Sequence, residues 1–118
     1  MSQKISFTVP LVPPSVNHYV KHTRTGRHYV TQEAKAFKQA VGIFAQYLAK
    51  PAKRYAVILH IYLGKGVRGD ADNFSKCALD ALVSAGVIHS DAAVATVTIS
   101  KCRDWENPRT EFTIEAIP

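Results

Sequence analysis

Apolar and polar positions alternate from the start of the chain. Ile5, Phe7 and Val9 interleave with Lys4, Ser6 and Thr8, which predicts a first strand that Pro10 ends. The stretch Val12-Pro13-Pro14-Ser15-Val16-Asn17 is extended and turn-prone, because proline lacks the amide hydrogen and disfavours helix in the residue before it. Residues 18–30 read as a hairpin arm turning at Thr25-Gly26. Thr31 is the expected N-cap of a helix reaching about Lys50, with Glu33 favourably placed in its first turn. Its apolar face is Phe37, Ala40, Val41, Phe44, Tyr47 and Leu48, and Pro51 stops it. Residues 54–63 are apolar on both faces, the pattern of a central strand covered on both sides. A second helix is expected from about Asn73 to Ala85, with Gly86 as a left-handed cap. Ala95, Val97 and Ile99 alternate with Thr96, Thr98 and Ser100 as a further strand. Glu106-Asn107-Pro108-Arg109 turns the chain into a last strand marked by Phe112, Ile114 and Ala116. This order predicts an α+β fold: one domain over residues 1–118, with a mixed β-sheet, two α-helices and an N-terminal β-hairpin arm.

Composition narrows the setting. At 118 residues, 47% apolar and 20% charged, the chain has ordinary globular content and length for one core. No apolar run approaches the roughly 18–20 residues a bilayer requires, and no signal peptide opens the chain. Cys77 and Cys102 are too few for a disulfide framework and lack metal-ligand spacing, so they read as free thiols. The expectation is a cytoplasmic protein with no membrane partner. Charge is more informative. Residues 1–69 carry eleven Lys/Arg against a single acid, Glu33, whereas residues 70–118 carry four against eight Asp/Glu. That asymmetry, within a net charge of +6, fits either a polyanionic partner such as nucleic acid or a solvated basic surface.

The acids lie where chemistry is plausible. Asp70 and Asp72, two apart in an extended segment, put both carboxylates on one side about 7 Å apart, within reach of a shared ion. Asn73 and Lys76 follow on one polar stripe, and the second helix brings back Asp91. Oxygen ligands without cysteine or paired histidine favour Mg²⁺, or Mn²⁺, over zinc. If the partner is a nucleic acid, Lys21, Arg24 and Arg27 on the arm would track phosphates while Tyr19 or Tyr29 packs on sugars or bases, and Lys65 and Arg68 add a basic loop before the acidic pair. Plainer readings stand beside these. Asp72 before a helix also suits an N-cap, and Lys76–Asp80 is an ordinary surface pair, so Asp80 is left out of the site. No nucleophile triad and no phosphate-binding P-loop are present.

At these residues the chain resembles the RusA-type Holliday junction resolvases, a family often carried by phages and prophages. The likeness covers nearly the whole sequence. It rests on Pro13, Pro14, Ser15 and Asn17, on the D-x-D-N-x-x-K core at Asp70, Asp72, Asn73 and Lys76, and on the helix end from Asp80 to Gly86. Asp91 matches the acidic pair after that helix, while Ser90 stands where aspartate is common in the family. The resemblance implies that Asp70, Asp72 and Asp91 bind a divalent metal, that Lys76 assists catalysis, and that Asn17 and Asn73 join the DNA-contacting set. It also implies a homodimer that resolves four-way DNA junctions by paired, symmetric phosphodiester cleavage in recombination and repair. A nuclease preferring flaps or forks, and a non-catalytic nucleic-acid-binding module, are the alternative functions.

Overall fold

Phe112 sits where three elements meet, and its contacts explain the architecture. Its ring stacks on Phe7, with centroids 4.7 Å apart and planes 11° apart, and lies 6.3 Å from Phe37 of the first helix. The computed structural model describes residues 3–15, 20–22, 28–46, 52–66 and 74–117. In chain order these form β1 (Gln3–Val9), β2 (Val20–His22), β3 (His28–Val30), α1 (Gln32–Phe44), β4 (Arg54–Leu63), α2 (Ser75–Ser84), β5 (Val94–Arg103) and β6 (Arg109–Ile117). A four-stranded sheet runs β1-β6-β4-β5, antiparallel except for the parallel β4–β5 pair. The crossover between those parallel strands carries α2. The fold is therefore α+β, with a mixed sheet and two helices. The arm appears as a separate antiparallel pair, Val20–His22 with His28–Val30, and its expected turn at Thr25-Gly26 lies outside the described residues.

Both helices contribute to one core. Ala34, Phe37 and Val41 of α1 and Cys77, Ala78, Ala81 and Leu82 of α2 join the fully buried Val57, Leu59, Ile61 and Leu63 of β4. The expectation that β4 is covered on both sides is corrected. Its odd-numbered residues are buried, but Ala56, Ile58, His60 and Tyr62 remain half-exposed. The reason is that this second face is lined by small and charged neighbours. Thr113 and Glu115 of β6 and Thr96 and Thr98 of β5 lie in register there, and Lys4 and Ser6 of β1 reach Glu115 and Thr113. Half-exposed Cys102 aligns on this face with Tyr62, whose ring is covered by the Arg109 guanidinium at 3.8 Å.

Helix boundaries follow their caps. Thr31 accepts a hydrogen bond from the Ala34 amide at 3.4 Å, as expected of the N-cap. The first helix ends at Phe44, short of the expected Lys50: Ala45 caps it and the Gln46 amide closes a tighter turn on Ile43. Tyr47, Leu48 and Lys50 lie outside the described residues. At the end of α2, Gly86 takes a φ of +77°. Its amide bonds the Val83 carbonyl, and the Val87 amide bonds that of Leu82, each at 3.0 Å. This Schellman closure needs a left-handed residue, which glycine supplies without steric cost. Among the described residues no helix is long and apolar enough to cross a membrane.

Candidate active site and nucleic-acid interface

The closure at Gly86 sends the chain back through the buried Val87 and Ile88 to a short 3₁₀ turn, Asp91–Ala93. Ser90 caps that turn, its hydroxyl accepting the Ala92 amide at 3.1 Å. A serine or an aspartate can fill such a cap, so Ser90 has a definite job in positioning Asp91. Asp91 is exposed and opens on a cleft of about 350 Å³ lined by Lys38, Asp80, Val83, Ser84, His89 and Ser90. The buried Tyr55 packs near the approach to this turn, its ring 5.9 Å from that of His89.

Lys76 is exposed on the first turn of α2, with Nζ 3.6 Å from the Asp80 carboxylate. By sequence alone Asp80 reads as a surface partner of Lys76. In the fold it faces two ways, toward Lys76 and into the cleft that holds Asp91, and only 28% of its side chain is exposed. Lys38 of α1 is the other residue the sequence reading missed. Its position beside Phe37 marks it as a flank residue of the apolar stripe, but no spacing rule connects it with a turn some fifty residues later. Beneath this surface lies the Cys77 thiol. Burial pushes it up to about 12, with nearby Lys38 opposing and Asp80 adding to the rise. A thiol so protonated is no nucleophile at neutral pH.

The remaining candidates divide by position. Lys65, just past β4, places Nζ 5.9 Å from the centre of the Trp105 ring. Arg103 donates to the Gly64 carbonyl at 3.1 Å, and the Asp104 amide donates to Leu63 at 3.0 Å. Any β-carbon on Gly64 would lie 3.0 Å from Pro108. These contacts fix the chain at Gly64 and Lys65, just past the end of β4. Lys65 and Asp91 therefore lie at opposite ends of β4, because Leu63 precedes the one and Val94, paired with Tyr55, follows the other. Eight strand residues separate those ends, about 26 Å. The fold brings Lys76, Asp80, Lys38 and Asp91 to one surface of α2 and leaves Lys65 at the far end. The side chains of Asn17, Tyr19, Lys21, Arg24, Arg27, Arg68, Asp70, Asp72 and Asn73 lie outside the described residues, though Lys21 is placed in β2 by its backbone. The N-cap position of α2 is held by Phe74, which makes no side-chain cap hydrogen bond.

What can this surface bind? Asp91 and Asp80 supply hard oxygen donors, and the one thiol nearby is buried and protonated, which suits Mg²⁺ or Mn²⁺ and disfavours thiophilic ions. Among the described residues no group of three or more such ligands is gathered. A cation site there requires carboxylates from outside them.

Residues 10–115 match the family described as Endodeoxyribonuclease RusA, and the chain belongs to that family. Its relatives include the Crossover junction endodeoxyribonuclease RusA of Escherichia coli (strain K12), 34% identical over 92% of both chains. The protein of that name from Shigella sonnei (strain Ss046) is 33% identical over the same share of both chains. Its counterpart from Enterobacteria phage 82 is 32% identical over 86% of this chain and 87% of its own.

Proposed function

We propose that this protein is a Mg²⁺-dependent crossover junction endodeoxyribonuclease, a homodimer that resolves four-way DNA junctions by paired cuts. The observation that carries the reading is the extent of the family match, which runs from Pro10 to Glu115 and so spans every candidate residue from Asn17 to Asp91. Asp70, Asp72 and Asp91 would hold the metal, with Mn²⁺ a competent substitute. Bound metal supplies a water of lowered pKa and neutralises charge on the phosphate. Lys76, projecting from the same surface of α2 as Asp91's cleft, donates a proton to the leaving oxygen or stabilises the pentavalent phosphorus. The basic amino-terminal half holds the DNA. Side-by-side incubation of a four-way junction, a flap and a plain duplex with Mg²⁺ tests the whole reading. Preferential junction cutting is expected; preference for the flap, or binding without cleavage, overturns it.

Binding should be steeply salt-dependent, because residues 1–69 carry nearly all the uncompensated positive charge. Neutralising Lys21, Arg24 and Arg27 together is expected to reduce the slope of log K against log salt by about 2–3 units. Fluorescence anisotropy across a salt series measures it, and an unchanged slope would remove the arm from the interface.

Two cuts related by an approximate two-fold axis call for two copies of one site. Mixed dimers of wild-type and Asp72→Asn subunits should nick a cruciform plasmid into relaxed circles, whereas wild-type dimers give linear product. Linear product from the mixed dimer contradicts the paired-site arrangement.

A further inference from the structure

Trp105 is the chain's single tryptophan, and it is 65% exposed at the tip of the turn between β5 and β6. An indole carries one of the largest apolar surfaces a side chain can bury, so leaving it in water forgoes stabilisation unless a partner covers it. The ring is not on a loose tip. Asp104 accepts Arg109 at 2.8 Å and the Asn107 amide at 3.1 Å, while Pro108 packs against Gly64. The bonds from Arg103 and from the Asp104 amide tie the same turn to the end of β4. The aromatic is thus preorganised, which lowers the entropy lost on binding. Arg109 also holds the Asp104 carboxyl below the usual carboxylate range and offsets its charge. Lys65 stands by one side of the ring, and exposed Arg103 and Lys101 follow along β5. An exposed ring with cations beside it is the combination that takes a base on its π-face and a phosphate next to it.

Position agrees. Asp70 follows Lys65 by five residues, at most about 18 Å of chain. We infer that Trp105 and Lys65 form a DNA contact in which the indole stacks on an unpaired base at the branch point and Lys65 binds the neighbouring phosphate. This rests on the reading of the protein as a branched-DNA nuclease and names side chains for its substrate recognition.

The lone tryptophan makes the test direct. Acrylamide quenching of its fluorescence is measured in the full-length protein, alone, with a four-way junction and with an oligothymidylate, in Ca²⁺ so that no cutting intervenes. Gel shift run in parallel reports binding independently. Trp105 is expected to be readily quenched in the free protein and protected when the junction or the single strand is bound. Trp105→Ala should weaken junction binding about 10-fold, with Trp105→Phe restoring most of it. If the junction binds by gel shift while the tryptophan stays as accessible as before, this contact is refuted and the nuclease reading stands. A tryptophan already shielded in the free protein points to a subunit interface and refutes it equally. If wild-type protein binds no DNA at all, both readings fall.

Discussion

Asparagine at position 70, 72 or 91 is expected to abolish cleavage of a four-way junction, while junction affinity stays the same or rises. The reasoning separates two roles of a carboxylate. As a hard anionic ligand it contributes much of the attraction for a divalent ion, which the neutral amide supplies poorly. As a fixed negative charge it opposes the approach of phosphate, so its removal costs the DNA nothing. The substitution also guards against a trivial explanation. Asparagine matches aspartate in shape and keeps a side-chain acceptor, so a merely structural role at position 72 would leave the variant active. At position 91 the change is equally mild for folding, because the side chain is exposed and the turn is capped by Ser90. Single-turnover cleavage and gel shift on the same junction, with calorimetric Mg²⁺ titration, measure the three effects. Wild-type turnover in all three variants would end the metal-site assignment.

Lys76→Ala is expected to lower the single-turnover rate by roughly 10²–10³-fold, the range for losing one electrostatic or acid–base group. Stability sets the contrast. The Lys76–Asp80 pair spans one helical turn with the lysine largely in solvent, an arrangement contributing only about 0.3–0.5 kcal/mol. A rate loss of two or three orders of magnitude alongside an almost unchanged melting temperature assigns Lys76 to the chemistry. An unchanged rate leaves it as a surface partner of Asp80 and nothing more.

What was legible in the sequence was local. Thr31 as a cap, Gly86 as a left-handed residue and the alternation of β1 all depend on near neighbours, and all three appear where expected. The helical spacing of Phe44, Tyr47 and Leu48 predicts a longer α1 than the fold has, since Phe44 is 47% exposed and Ala45 already ends the element. Tertiary placement was harder to read. Alternate residues of β4 are apolar on both faces, and nothing in their order says that helices cover only one. Asp80 looked like half of a surface pair because its second neighbour, the turn at Asp91, arrives through the Gly86 closure. The Lys65–Trp105 contact joins positions forty residues apart that meet only because β5 and β6 flank β4. That the chain belongs to the RusA family, by contrast, was legible in short motifs, since these are local too.

The protonated thiol beneath α2 has a practical corollary for following this protein in solution. At the mildly alkaline pH used for maleimide coupling, Cys77 is both out of reach and almost wholly un-ionised, so it reacts far more slowly than an accessible thiol. Cys102, half-exposed on the open face of the sheet, becomes the single attachment point without any residue being removed. In the homodimer proposed above, one spin label there, on a strand well away from Asp91's cleft, would give a single inter-label distance. Pulsed dipolar spectroscopy can then read how the subunits are spaced before and after a junction is grasped.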